Sequence, residues 1–109
     1  MLNLRLDTID NPRSQRVRTL VNLSRRSFRL KQGLLLVEGP QACAELLRFY
    51  PEAVRDVYVE VGAPSPAIQV AREALGVTSW VHPVSRQVMK LFAPATQGIA
   101  TTAEFSLLP

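Results

Sequence analysis

For acid–base or nucleophilic chemistry this chain holds one histidine, one cysteine and nine carboxylates, set against thirteen Lys and Arg. Cys43 falls with Leu46, Leu47 and Tyr50 at i, i+3, i+4 and i+7 of a helical pattern. It therefore reads as a buried thiol packed like a small hydrophobe. His82 lies beside Pro83 with no neighbour at metal-ligand spacing. One Cys and one His fall short of the four ligands of a structural zinc. Asp56 and Glu60 stand four apart in an alternating stretch, on one strand face, and read as exposed charge rather than an acid/base pair. No G-x-G-x-x-G, Walker loop or G-x-S-x-G occurs. No catalytic, cofactor-binding or metal-binding residue is assigned to this chain.

The chemistry on offer is electrostatic. Residues 1–31 carry a net charge of +6 and residues 32–109 a net of −2, within a total of +4 and a pI near 10.0. Such asymmetry fits a polyanion-binding edge or a solvated basic surface. Arg16 and Arg18 flank an apolar stripe, and Arg25-Arg26-Ser27-Phe28-Arg29-Leu30-Lys31 places four cations in seven residues. Phe28 has two readings, a ring stacked on an exposed base or an anchor for its segment.

Next along the chain is Gly33-Leu34-Leu35-Leu36-Val37-Glu38-Gly39-Pro40. Four aliphatic residues bounded by glycines predict a short strand buried on both faces. Pro40 suits the first turn of a helix, where its missing N–H costs nothing. Glu38 and Gly39 then occupy a strand-to-helix turn, where α/β sheets present functional groups. Glu38 reads as a carboxylate at a helix N-terminus or as a contact-forming group.

The elements that must hold these residues follow from periodicity. Residues 1–10 read as a lead-in. Asn11-Pro12 opens a helix to about Leu23 with Val17, Leu20 and Val21 inward. Residues 24–33 read as a basic loop, 34–38 as a strand, and 40–50 as a helix stopped by Pro51. A second strand covers 55–61, with Val57, Val59 and Val61 on one face. A third helix runs from Ser65 to Gly76, a third strand covers 77–82 with Trp80 in the core, and Ser85 caps a short helix. Residues 98–103 are the fourth strand. This β-α-β-α-β-α-β order predicts a three-layer α/β/α sandwich with a mostly parallel four-stranded sheet. At 109 residues it is one domain. No apolar run reaches 18 residues, no signal-peptide pattern opens the chain, and a lone cysteine suits a reducing cytoplasm.

With these pieces in order, the chain resembles the N-terminal substrate-binding domain of SpoU-type (TrmH-like) RNA ribose 2′-O-methyltransferases. Three segments carry the resemblance: Asn11-Pro12-Arg13 with its following arginines; Gly33 to Pro40, similar to the family's G-x-F-L-V-E-G; and Ala95-Thr96-Gln97-Gly98-Ile99-Ala100, similar to T-x-x-Q-G-I/V-x-A. Leu35 stands where an aromatic is common in the family. The resemblance implies a fold like the ribosomal-protein and kink-turn-binding sandwiches over residues 11–103, and a linker beginning at 104–109. It also implies a C-terminal trefoil-knotted domain outside this sequence, which holds S-adenosylmethionine and forms a homodimer. This chain alone is then monomeric, inactive and without cofactor. Its partner is RNA, ribosomal RNA in particular, bound by Arg16, Arg18, Arg25, Arg26, Arg29, Lys31, Glu38 and Gly39. The competing readings are a stand-alone ribosomal-type RNA-binding protein and a protein-interaction α/β domain.

Overall fold

Ser14, rather than Asn11, starts the first helix. The computed structural model describes residues 7–94 and 96–109; residues 1–6 of the lead-in and Ala95 of the Gln-Gly segment lie outside the described residues. Asn11 forms a turn, its Oδ1 accepting from Arg13 N–H at 2.9 Å. Ser14 then caps helix α1, Gln15–Asn22, with its hydroxyl accepting from Val17 N–H at 3.2 Å. Starting three residues later shifts the buried stripe to Val17, Leu20 and Leu23 and leaves Val21 38% exposed.

The basic segment expected as a loop is a second helix, α2, Arg26–Gln32. Arg, Leu, Lys and Gln are strong helix formers, and Gly33 at φ 71° closes the helix, its N–H reaching the Arg29 carbonyl at 2.8 Å. The helix buries no residue fully, so it has no clear apolar stripe to betray it in the sequence. Phe28 is half-buried against the core, which supports the anchoring reading.

Strand β1 (Leu34–Glu38), helix α3 (Pro40–Phe49), strand β2 (Val54–Glu60), helix α4 (Ser65–Leu75), strand β3 (Val81–Val84), helix α5 (Arg86–Phe92) and strand β4 (Ile99–Glu104) follow. The sheet order is β1-β4-β2-β3. It is mixed, which corrects the expectation of a mostly parallel sheet. β4 pairs antiparallel with both β1 and β2, and only β2 and β3 form a parallel ladder. The reason lies in α5. At 1.5 Å per residue this seven-residue helix is about 10 Å long, too short to carry the chain back along the sheet. The last strand therefore starts from the end where β3 finished and runs the opposite way.

Helices cover both faces. On one, α3 and α4 pack Cys43, Leu47, Ala67, Val70, Ala71 and Ala74 against Val57, Val59, Val81 and Ile99. On the other, α1 and α5 pack Val17, Leu20, Leu23, Val88, Met89 and Phe92 against Tyr58, Val84 and Ala100. β4 is central and buried, and its Ala100, Thr101, Thr102 and Ala103 are small enough for helices to approach from both sides. Leu34–Val37 are only half-buried because β1 is an edge strand. Trp80, expected in the core, is 61% exposed. Strand β3 starts at Val81, four residues later than expected, and Trp80 spends its carbonyl on Val57 N–H at 2.9 Å outside the packed layers. Ile9 pairs with the outer edge of β3, its N–H on the Pro83 carbonyl and its carbonyl on Ser85 N–H.

Candidate functional site

The six cations singled out in the sequence divide by role. Arg29 turns inward and donates from one Nη to the carbonyls of Leu23 (3.1 Å) and Ser24 (2.9 Å). It thereby satisfies acceptors left over at the end of α1. Arg16 is held by Tyr58, donating to its hydroxyl at 3.0 Å, with Asp56 at 3.7 Å. Arg25 stands at the N-cap of α2 and donates to Asn22 Oδ1 at 3.1 Å. Arg18, Arg26 and Lys31 are exposed. Among the described residues, Arg18, Arg25, Arg26 and Lys31 have no carboxylate within ion-pair distance. Such cations are open to an external anion.

Glu38 and Gly39 lie elsewhere. They end β1, whereas α2 abuts its beginning, so a strand length of about 13 Å separates the turn from the basic helix. The structure therefore does not bring these two groups together. It does unite two motifs remote in sequence. Antiparallel pairing sets Glu38 opposite Ala100, and Gly39 N–H donates to both the Ile99 carbonyl and Thr96 Oγ1, each at 3.0 Å. Thr96 in turn donates its hydroxyl to the Ile99 carbonyl. Gly39 adopts φ 93° and Gly98 φ 96°, a backbone that favours glycine at both. Gln97 shares the left-handed region at φ 56°. Glu38 is exposed at this corner and makes no side-chain cap on α3.

A cluster that the sequence did not reveal lies under α1. Asp56 is half-buried and accepts from His82 Nε2 at 2.8 Å, and the His82 ring, 12% exposed, stacks on Tyr58 at 5.2 Å between centroids. Asp56 is thus paired rather than an exposed charge. Its burial acts to raise its pKa. The His82 hydrogen bond, aided by the charges of His82, Arg16 and Arg55, outweighs that and holds the carboxyl below the usual range. Burial, with the Asp56 charge nearby, raises the Tyr58 phenol. Asp56 and Tyr58 share a face by period-2 spacing, which is legible in sequence. Opposing His82 to Tyr58 requires the β2–β3 register, which is not. Asp56 and Tyr58 border an open groove of about 340 Å³ between α1 and the sheet. Cys43 is buried, and desolvation pushes its thiol up to about 11. Among the described residues no group of three or more His, Cys, Asp or Glu could hold a metal ion, and no helix is long and apolar enough to cross a membrane.

No family model and no curated protein matches the sequence. Solved structures do. An rRNA methyltransferase from Sinorhizobium meliloti superposes with a TM-score of 0.69 at 14% identity, over 90% of this chain and 36% of that one. An RNA 2′-O ribose methyltransferase gives 0.69 at 21% identity, over 90% and 37% of the two chains. The chain has the fold of a domain of SpoU-type RNA methyltransferases. The SpoU methyltransferase AviRb from Streptomyces viridochromogenes, solved with AdoMet, matches this chain at 0.63 and 16% identity, over 84% of this chain and 33% of its own. The chain spans about a third of the length of these relatives.

Proposed function

We propose that this SpoU-type domain is the RNA-recognition part of an S-adenosylmethionine-dependent RNA 2′-O-ribose methyltransferase acting on ribosomal RNA in the cytoplasm. The observation that carries the proposal is the set of cations Arg18, Arg25, Arg26 and Lys31, without an ion pair among the described residues and displayed on α1 and at α2 of a fold shared with RNA methyltransferases. Arginine's planar fork suits phosphate oxygens, and such contacts position an RNA without reading its sequence. Arg29 supports that surface from behind, Arg16 stands at the groove beneath α1, and Glu38 with Gly39 offers a second contact corner. Catalysis belongs to a knotted domain outside this sequence, which also supplies the dimer interface; the present chain is monomeric. On this reading S-adenosylmethionine is held by that other domain, in keeping with the AdoMet-bound neighbours.

Filter binding of structured ribosomal RNA fragments across a salt series tests this reading. Affinity should fall by roughly 0.7 log units per phosphate contact for each tenfold rise in salt on single strands. Replacing Arg25 and Arg26 by Ala should lower the slope by roughly 1.4. Unchanged slope and affinity in a folded double variant would remove α2 from the interface. Salt-insensitive or absent binding would overturn the RNA reading.

A further inference from the structure

Phosphate binding by α2 leaves the groove under α1 unused. Its bed is apolar, formed by Leu20, Leu23 and Leu34 beside the Tyr58 ring, and its polar groups include Asp56 and Arg16. A volume of about 340 Å³ lies at the low end of small-ligand sites.

Asp56 is fixed from three directions. His82 Nε2 and, more loosely, Arg16 approach the same oxygen, Oδ1. Thr102 Oγ1 accepts from the Asp56 N–H at 3.1 Å, which pins the backbone. The partners that depress its pKa keep the carboxylate ionised, hence a pure acceptor, at neutral pH. Arg16 beside it is a pure donor. An acceptor and a donor side by side over an apolar bed match a flat heterocycle whose edge carries N–H donors next to a carbonyl oxygen. Guanine has that edge: N1–H and N2–H beside O6. Uracil offers one N–H between two carbonyls, whereas adenine and cytosine present an amino group beside an unprotonated ring nitrogen.

We infer that the groove takes one unpaired guanine of the bound RNA, its N1–H and N2–H donated to Asp56 and its O6 accepting from Arg16. The inference rests on the RNA reading above and adds base specificity to it. The groove is lined in part by Leu23 and Leu34, the two residues that bracket the segment carrying Arg25, Arg26 and Lys31. A guanine seated there keeps its own strand beside the free cations of α2. Phosphates would set the register, and the groove would read one base.

The probes are single-stranded heptamers of uridine with G, A, C, U or inosine at the centre, measured by fluorescence anisotropy at low salt. Guanine should bind about tenfold tighter than the other three standard bases. Inosine, which lacks the N2 amino group, should fall between guanine and the rest. Asp56→Asn should bring all five within twofold while retaining affinity for the all-uridine strand. Thr19→Phe, which adds bulk to the groove from a residue whose own side chain bonds Gln15 and neither Asp56 nor Arg16, should do the same and decides the matter if Asp56→Asn fails to fold. Replacing Arg25 and Arg26 by Ala should weaken all five strands equally. Equal affinities in the wild type, or a guanine preference that survives Thr19→Phe, would overturn the inference and leave the RNA reading standing. No binding to any strand or to ribosomal RNA would overturn both.

Discussion

Gly98 sits so close to Ala63 that a Cβ placed on it would lie 2.7 Å from the Ala63 Cβ. The glycine also holds φ 96° where β4 begins, and its carbonyl accepts from Glu60 N–H at 2.9 Å. Gly98→Ala therefore meets a steric and a conformational cost together and should destabilise the domain by about 3 kcal/mol. Denaturant unfolding of this variant and of Gly98→Ala with Ala63→Gly separates the two. The second substitution should relieve the clash and leave the φ cost.

Arg29 and Arg26 are three residues apart on α2 and should behave oppositely. Arg29→Ala strips the Leu23 and Ser24 carbonyls of their shared donor and should cost about 1 kcal/mol. Arg26→Ala should change stability by less than about 0.5 kcal/mol while weakening RNA. Thermal melts and binding isotherms of both variants check the division.

Acid should act partly through Asp56. Its folded pKa lies below the unfolded value, so its contribution to stability is complete above the unfolded pKa of about 4. It is lost as pH falls through the folded value. Asp56→Asn should flatten the decline in unfolding free energy below about pH 4. Denaturant midpoints measured between neutral pH and pH 2 give the comparison.

The Cys43 thiol should be inert in the native state. It is buried, its pKa is pushed up to about 11, and it lies against the Thr101 hydroxyl at 3.3 Å. Thiolate-selective reagents at pH 8 should modify it only at the rate of unfolding, and denaturant should restore rapid labelling.

Trp80 is the sole tryptophan and is mostly exposed. Its emission should be red-shifted and quenched by iodide in the native state, with little change on unfolding. Trp80→Ala should alter stability by less than about 0.5 kcal/mol.

How far the sequence carried this reading depends on range. Local signals held where chemistry is local: Ser85 caps α5 and Pro40 opens α3. Asn11 misled because it makes a turn that delivers the chain to Ser14, so two caps compete within three residues. The basic segment hid its helix because a cation-rich stretch of seven residues buries too little to show a period. Trp80 misled because apolar neighbours are no evidence of burial at the margin of a strand. Strand pairing was out of reach. Nothing near Asp56 announces His82, and nothing in β4 says that it runs against its neighbours.

That antiparallel insertion also governs when the domain can assemble. β1 and β2 are never neighbours, and the whole β1 ladder, from Leu34 opposite Glu104 to Glu38 opposite Ala100, is made with β4. During synthesis, β2, α4 and β3 can dock as soon as they emerge, while β1 waits with both edges bare until the last strand arrives. Closing a loop of that length carries its entropic cost before any contact returns it. The sheet is then complete only once β4 lies between two strands that do not pair with each other.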